Sequence, residues 1–201
     1  QRPDATHIAF DPDATSLSGW SLQSDFNKNN GNIRPNASFW AVSPGFEVND
    51  AGFMMNVDRM GGHAAVNFSK PTPDGFSRYR SLYVAKWNVW NFAGDPVGDG
   101  YYASSHATLP NYWSIGVVAH AGRWVYSDRL TRGGPMMRAP GFTAVSAGID
   151  GDERKPVVWE LGGSYETRPD GSWSADGGFE LKFRPLPTFS LEIGPTFKRE
   201  L

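Results

Sequence analysis

Residues 173–183 read Trp-Ser-Ala-Asp-Gly-Gly-Phe-Glu-Leu-Lys-Phe, with apolar residues or glycine at the odd positions and polar residues or glycine at the even ones. The segments 157–165 and 189–197 follow a similar alternation. Because successive side chains of a β-strand point to opposite faces, each segment predicts a strand with one apolar and one polar face. Strands of soluble proteins usually have about 5–6 residues, whereas a tilted strand needs about 9–11 to cross a bilayer. These long segments, with aromatic residues near their ends, indicate an outer-membrane β-barrel.

Strand-like segments recur along the whole chain and are separated by residues that favour turns. We predict ten strands, at 16–27, 32–42, 61–69, 78–92, 100–108, 112–121, 141–149, 156–167, 172–184 and 188–199. A weaker strand is expected at 5–10 and a short helical turn at 54–60. The connections 43–60 and 122–140 are long and most others are short, as in a barrel with short turns at one rim and long loops at the other. The predicted fold is therefore all-β, an antiparallel up-and-down (meander) transmembrane β-barrel or a large part of one.

The composition excludes several other classes of protein. The chain of 201 residues has no cysteine, so neither disulfides nor thiolate metal sites can form. Its formal charge of −2 gives no basic surface for nucleic acid, and no run of about 18 apolar residues is present to form a transmembrane helix. Aromatic residues make up 14% of the chain, with eight tryptophans. That excess suits the aromatic girdles of a membrane barrel, and it also suits a sugar-binding β-sandwich.

The two ends of the sequence predict that residues 1–201 are a single β-barrel region and a fragment of a longer chain. The first residues do not have a charged segment followed by an apolar one, which is the pattern of a signal peptide. Residues 198–201, Lys-Arg-Glu-Leu, lack the aromatic ending of many barrels. Because a barrel protein must be exported, we expect an internal part of an exported protein that is located in the cell outer membrane.

Few residues have the spacing of a catalytic or metal-binding motif. The four histidines have no ligand-like spacing, and no G-x-S-x-G nucleophile motif occurs. Ser114 and His120 lie six residues apart on one predicted strand, out of hydrogen-bond reach. We therefore predict no catalytic residue, no cofactor and no metal site.

Three carboxylates, Glu160, Glu180 and Glu192, lie on the polar faces of the last predicted strands. We interpret them as charges that line a watery lumen, and a glycosidase pair is the alternative. A last hairpin centred on Leu186 sets Glu180 opposite Glu192, an unfavourable arrangement for like charges. The same register pairs three sets of apolar residues, Phe183 with Phe189, Leu181 with Leu191, and Phe179 with Ile193.

The long connection 122–140 contains the candidate functional loop. Its notable residues are Asp128, Arg129, Arg132, Gly133, Gly134, Pro135 and Arg138. Gly133-Gly134-Pro135 can form a tight reversal, and the arginines can pair with lumen carboxylates such as Glu160. We expect the loop to pack at or inside one rim, with Arg129 or Arg132 reaching a carboxylate. A plain solvated surface loop is the alternative.

Several segments resemble recurrent motifs of a bacterial family of unknown function. They are S-P-G-F-E-V-N-D-A-G-F at 43–53, D-R-L-T-R-G-G-P-M-M-R at 128–138, R-K-P at 154–156, L-G-G-S-Y at 161–165 and I-G-P at 193–195. Members of that family often carry an N-terminal module like the family-nine carbohydrate-binding modules, followed by a predicted outer-membrane barrel. The resemblance implies the outer membrane of a Gram-negative bacterium, with outer-membrane lipid as a partner. It also implies a link to polysaccharide or export, with glycan bound through a module that this sequence lacks. It implies no activity and no catalytic residues.

Three functions remain open at this point. The first is the membrane-spanning section of an outer-membrane protein that serves as a pore, a transporter or a surface-anchoring scaffold. The second is a soluble β-sandwich or lipocalin-like binding module, which predicts that the apolar face is buried. The third is an outer-membrane hydrolase acting on lipid or glycan, which predicts a close pair of inward carboxylates or a contact between a serine and a histidine.

Overall fold

A computed structural model describes residues 4–8, 11, 13–49, 52 and 56–201. These residues form thirteen strands and no helix. The strands are β1 (Ser21–Asn27), β2 (Ile33–Val42), β3 (Arg59–Lys70), β4 (Tyr79–Trp90), β5 (Pro96–Thr108), β6 (Ser114–Gly122), β7 (Val125–Ser127), β8 (Met137–Ala139), β9 (Phe142–Asp150), β10 (Val157–Thr167), β11 (Trp173–Leu186), β12 (Phe189–Ile193) and β13 (Thr196–Glu200). The described residues contain no helix that is long and apolar enough to cross a membrane.

Eleven of these strands form one sheet in the order β1-β2-β3-β4-β5-β6-β9-β10-β11-β12, and β13 also pairs with β11. Every pairing is antiparallel. Because β12 and β13 pair with successive parts of β11, they act as one strand interrupted at residues 194–195. The predicted all-β meander of about ten strands is thereby confirmed. In the described residues β1 does not pair with β12 or β13, so the sheet is open, as a large part of a barrel would be.

Some predicted boundaries are corrected. The first strand begins at Ser21 rather than at residue 16. The connection 122–140 is not a plain loop, because β7 and β8 pair within it as a separate two-stranded sheet. The weak strand at 5–10 and the helical turn at 54–60 both include residues outside the described part of the chain. Of their described residues, 5–8 are not in a strand, and residues 59 and 60 begin β3.

One face of the main sheet is apolar on every strand, and we call it the apolar face. The strand registers place its side chains side by side across the sheet. Twelve of its large side chains are 36–56% exposed: Ile33, Phe39, Phe68, Leu82, Val84, Ile115, Val117, Val145, Leu161, Phe179, Leu191 and Ile193. In the described residues only Ala5, Ala41, Ala85 and Val158 are buried apolar side chains. The sheet therefore has no second layer in this part of the chain that covers its apolar face.

The opposite face, which we call the polar face, carries mostly hydrogen-bonding and charged side chains. They include Asn36, Ser38, His63, Asn67, Tyr83, Ser104, His120, Ser146, Glu160, Ser164, Asp176 and Lys182.

The connections leave the sheet at two ends. We call the end with 28–32, 71–78, 109–113, 151–156 and 187–188 the short-turn rim. The other end, with 43–58, 91–95, 123–141 and 168–172, is the long-loop rim.

The register of the last hairpin differs from the predicted one by two residues. Phe183 faces Leu191 and Leu181 faces Ile193, and a bulge follows Phe183. The bulge shifts the partner strand by an even number of residues, so apolar residues still face apolar residues. The shift also replaces the expected repulsion between Glu180 and Glu192, because Glu192 now faces Lys182. Opposite charges thus take the place of like charges across this strand pair.

Candidate functional site

A serine, a histidine and an asparagine form a hydrogen-bonded row on the polar face. Ser38 Oγ lies 2.8 Å from Nδ1 of His63, and Nε2 of His63 lies 2.8 Å from Oδ1 of Asn36. An amide oxygen only accepts hydrogen bonds, so Nε2 of His63 carries the proton that it donates to Asn36. Nδ1 of the neutral ring is then the acceptor for the Ser38 hydroxyl. The asparagine therefore sets the histidine tautomer that can accept a proton from the serine.

The strand register explains this row. Ser38 and His63 are direct partners in the antiparallel pair β2–β3, and Asn36 is two residues before Ser38 on the same face. Asp25 of β1 lies across from Ser38, and Trp87 of β4 lies across from His63. Both β2 and β3 are hydrogen-bonded on each side, so the backbone that carries the three side chains is held by four strands.

An aromatic row continues from Trp87 across the polar face. The rings of Trp87 and His120 are 6.5 Å apart, those of Tyr102 and His120 are 6.1 Å apart, and those of His120 and Phe142 are 5.0 Å apart. The Trp87 indole lies over Gly100, where an added Cβ would be only 2.7 Å from the ring. A side chain at Gly100 would force the indole out of its place, so this glycine is needed for the row.

The aromatic row ends at a cavity of about 660 Å³ on the long-loop rim. Phe142 lines the cavity together with Trp124, Arg138 and Arg168. The guanidinium of Arg138 stacks on the Trp124 ring at 4.2 Å. The cavity and the row together form an apolar path with basic side chains at its outer end.

The three predicted lumen carboxylates lie on the polar face near the short-turn rim. Glu160 and Glu180 are direct partners across β10–β11, and Nζ of Lys182 lies 2.5 Å from Glu160 and 3.2 Å from Glu180. Glu192 faces Lys182 across β11–β12. A single lysine therefore offsets the charge of the carboxylate pair, which favours a structural role over the glycosidase alternative. Among the described residues, no group of three or more His, Asp or Glu side chains is arranged to hold a metal ion.

The predicted functional loop is anchored to the sheet through its acidic residue. Asp128 forms an ion pair with Arg59, the first residue of β3 at the long-loop rim. The expected contact between a loop arginine and Glu160 is wrong, because Glu160 is bound to Lys182. The physical reason is position: the loop leaves the sheet at the long-loop rim, whereas Glu160 lies four residues into β10 from the opposite rim.

The tip of this loop is a compact turn. The left-handed conformation of Arg132 (φ 50°) and Gly133 (φ 111°) reverses the chain, and the Thr131 hydroxyl donates to the Pro135 carbonyl at 3.0 Å. The N–H of Gly134 donates to the Thr131 carbonyl at 3.3 Å. Arg132 makes no ion pair with any carboxylate in the described part of the chain. The backbone of Arg129 takes part in the turn, since its N–H donates to Ser127 Oγ and its carbonyl accepts from the N–H of Arg132.

A buried polar network links the loops of the long-loop rim. Asp58 is 4% exposed, and its carboxylate accepts hydrogen bonds from the Phe92 N–H at 3.0 Å and from His7 Nε2 at 2.9 Å. Arg59 is 8% exposed and donates to the Asp58 carbonyl at 2.7 Å. Asn91 is fully buried. Its side-chain N–H donates to the Asp95 carboxylate at 2.8 Å, and its side-chain oxygen accepts from the Asp95 backbone N–H at 2.8 Å. These contacts join three separate segments, at residues 7, 58–59 and 91–95, into one rim.

At the short-turn rim, an aromatic ring lies between two guanidinium groups. Arg78 and Arg154 lie 3.9 Å and 3.1 Å from the centre of the Tyr112 ring. The Arg154 side chain also binds Asp152 through two hydrogen bonds of 2.7 Å. That bonding, together with the hydrogen bond from the Arg154 N–H, lowers the pKa of Asp152 to about 2. Three turns of this rim are thus connected through one tyrosine and one arginine.

We expect Asp152 to titrate near pH 2 in an NMR titration of the folded protein in detergent. The pKa of Asp152 is lower in the folded protein than in the unfolded chain, where it is about 3.9. The Asp152–Arg154 pair therefore stabilises the folded turn above about pH 3.9, and that stabilisation is lost as the pH falls through about 2. Arg154→Ala should move the midpoint up towards 3.9. The pKa of Asp170 is lowered by Ser172 instead, so this carboxyl is the control and should not respond. A titration midpoint of about 3.9 for Asp152 in the unaltered protein would contradict its pairing with Arg154.

Sequence reasoning did not identify Ser38, His63 and Asn36. Asn36 and Ser38 alternate on one strand face, and this was the only local signal. His63 is 25 residues away from Ser38 in sequence, and only the β2–β3 register brings the two together. The pair that sequence reasoning considered, Ser114 and His120, lies on one strand, six residues apart.

Comparison with known proteins assigns no relationship. No protein-family profile matches the chain, and neither a curated protein nor a solved structure matches it at a significant level. The likeness to a barrel family in the motifs at 43–53 and 128–138 therefore stays a prediction. The two faces of the sheet and the side chains on them are therefore the features that bear on function.

Proposed function

We propose that this chain is the membrane-spanning barrel section of an outer-membrane protein, with its apolar face towards lipid and its polar face towards a lumen. The observation that carries the proposal is the apolar face, which presents exposed apolar side chains on each of ten successive strands. It is broken by one ion pair, between Lys86 of β4 and Asp99 of β5 near the long-loop rim. Soluble monomers rarely expose apolar patches of more than a few hundred Å². A lipid environment removes that cost, because hydrocarbon is the favoured surrounding for this face.

Aromatic pairs at both ends of the apolar face support the proposal. Trp113 and Trp159 pack edge to face at 4.8 Å near the short-turn rim, and Tyr165 and Trp173 stack at 6.3 Å near the long-loop rim. Rings at both membrane–water interfaces are typical of membrane barrels. The strand β10 between these two pairs has 11 residues, which is within the roughly 9–11 residues that a tilted strand needs to cross a bilayer.

The polar face supports a water-filled interior. Lys182 on this face pairs with Glu160 and Glu180, and many of the smaller side chains are serines and asparagines. Such a lumen suits a pore, a transporter or a scaffold that anchors another module at the cell surface. The aromatic row and the basic cavity at the long-loop rim are surfaces on which a glycan can pack, so a link to polysaccharide is part of the proposal.

The soluble alternatives need a structure that covers the apolar face. A β-sandwich packs a second sheet about 10 Å from the first, and a lipocalin-like barrel keeps its apolar side chains inside. In the described residues most of the exposed large apolar side chains of the sheet lie on an uncovered face, and hydrogen-bonding side chains predominate on the other. This arrangement favours the membrane proposal over both soluble modules.

The proposal is tested by comparing the purified protein in plain buffer and with liposomes. We expect aggregation in buffer, because an exposed apolar face and two open sheet edges recruit other chains. With liposomes, we expect the protein to float with the lipid in a density gradient and to resist extraction by carbonate. A sharp monomer peak in plain buffer, with no lipid flotation, would favour the soluble binding module instead.

A further inference from the structure

We infer that Ser38, His63 and Asn36 form a hydrolytic site in the lumen, which cleaves small neutral carboxylic esters that carry a ring. The inference goes beyond the barrel section proposed above, which assigns no chemistry to the chain. The hydrogen bonds run from a hydroxyl to a histidine at 2.8 Å and from that histidine to an amide oxygen at 2.8 Å. A nucleophile, a base and a group that orients the base recur in this order on unrelated folds.

The position of the three side chains makes the hydroxyl accessible to a ligand. Ser38, His63 and Asn36 are each half-buried, so they are neither sealed in a core nor spread on an outer surface. Ser38 lies four residues from Val42, the long-loop end of β2, and His63 lies four residues from Arg59, the end of β3 at the same rim. A molecule that enters past the long-loop rim therefore reaches the site after about 13 Å of strand.

The chemistry can be written with these residues and water alone. Ser38 Oγ attacks the ester carbonyl carbon and its proton passes to Nδ1 of His63, while Nε2–H stays bonded to Asn36 Oδ1. The C–O bond of the ester breaks, and the leaving alcohol takes the proton from Nδ1. Water then attacks the acyl group on Ser38 and gives a proton to His63. That proton returns to Ser38 Oγ as the acid leaves, so one ester and one water give one acid and one alcohol.

The surroundings of the site select the substrate. Trp87 lies across from His63, and the aromatic row leads from it to the cavity at the long-loop rim. A flat or ring-shaped group on the ester can stack on these rings. Asp25 lies across from Ser38, and its carboxylate disfavours an anionic substrate through like-charge repulsion. The favoured substrate is therefore a neutral ester with an aromatic or sugar ring.

The first experiment labels the unaltered protein in detergent micelles with a fluorophosphonate probe. An activated serine oxygen attacks the phosphorus and expels fluoride, which leaves a stable phosphonyl adduct. We expect one adduct per chain, located at Ser38 by peptide mass spectrometry. This measurement needs no variant, so it does not depend on whether an altered protein folds.

The second experiment follows the release of 4-nitrophenol from 4-nitrophenyl acetate, a neutral ring-bearing ester. Ser38→Ala and His63→Ala should each lower the rate by about a hundredfold or more, the size of a lost nucleophile or general base. Asn36→Ala should lower kcat with little change in KM, and Asn36→Asp should restore it, because a carboxylate can accept the same Nε2–H bond. Ser104→Ala is the control, since Ser104 is another half-buried serine on the polar face.

Two results would overturn the inference. One is a fluorophosphonate adduct that is absent from Ser38 or is spread over several serines at similar yield. The other is a rate of ester cleavage that is the same in the unaltered protein, in Ser38→Ala and in Ser104→Ala. Because both measurements are made in micelles, failure of this site would leave the flotation result, and hence the proposed membrane section, unaffected.

Discussion

Arginine at Val117 should destabilise the protein in lipid by about 2–4 kcal/mol, the cost of this side chain at the bilayer midplane of a barrel wall. Val117 is the fourth of nine residues in β6 and is 38% exposed on the apolar face. Arginine at the next residue, Val118, should cost much less, because that side chain lies on the polar face between Ser104 and Ser146. The two positions share residue type, strand and depth, so they form a matched pair.

The measurement is a reversible unfolding titration in urea with the protein folded into lipid vesicles. The free energy of unfolding should fall for Val117→Arg and stay close to that of the unaltered protein for Val118→Arg. Equal losses at both positions would contradict the assignment of the two faces. A larger loss at Val118 would mean that the polar face is packed and dry, as in a soluble core.

The second large effect is expected at the long-loop rim, where Arg59→Leu should destabilise the fold by about 3–5 kcal/mol, the cost of breaking a buried ion pair from one side. The side chains of Arg59 and Asp128 are 10% and 14% exposed, so removing the guanidinium leaves a carboxylate with little access to water. Asp128→Leu should be destabilising for the same reason.

A double-mutant cycle tests whether the two residues act as a pair. Because the double variant does not leave one member of the Arg59–Asp128 pair behind without the other, its loss of unfolding free energy should be smaller than the sum of the two single losses, by about 0.5–3 kcal/mol. Arg184→Leu, which breaks a more exposed ion pair with Glu153, is the control and should change stability little. Additive losses at Arg59 and Asp128 would show that the loop is not anchored through this contact.

Much of the architecture is predictable from the sequence, and the turn at 168–172 shows why. Pro169-Asp170-Gly171 predicts a reversal because Gly171 can adopt a positive φ, and in the structure its φ is 88°. The alternation in 173–183 likewise predicts β11 and its two faces. Both signals are local, since they depend only on backbone preferences and on the period of a strand.

The register of paired strands is not a local property. The shift of the last hairpin comes from a bulge after Phe183, and no residue in 184–188 predicts it unambiguously. An even shift keeps apolar residues opposite apolar ones, so the hydrophobic pattern alone does not distinguish the two registers. Only the charges differ, with Lys182 rather than Glu180 facing Glu192.

The sequence by itself determined the strand positions, the two faces and the existence of short and long connections, because each of these follows from side-chain alternation and turn chemistry over a few residues. Only the tertiary structure decided which side chains meet. It brings Ser38 to His63 across 25 residues and Arg59 to Asp128 across 69. Contacts of this kind depend on the pairing of whole strands and on how a loop folds back over a rim, and the free energies that fix them are shared over many residues rather than encoded in a motif.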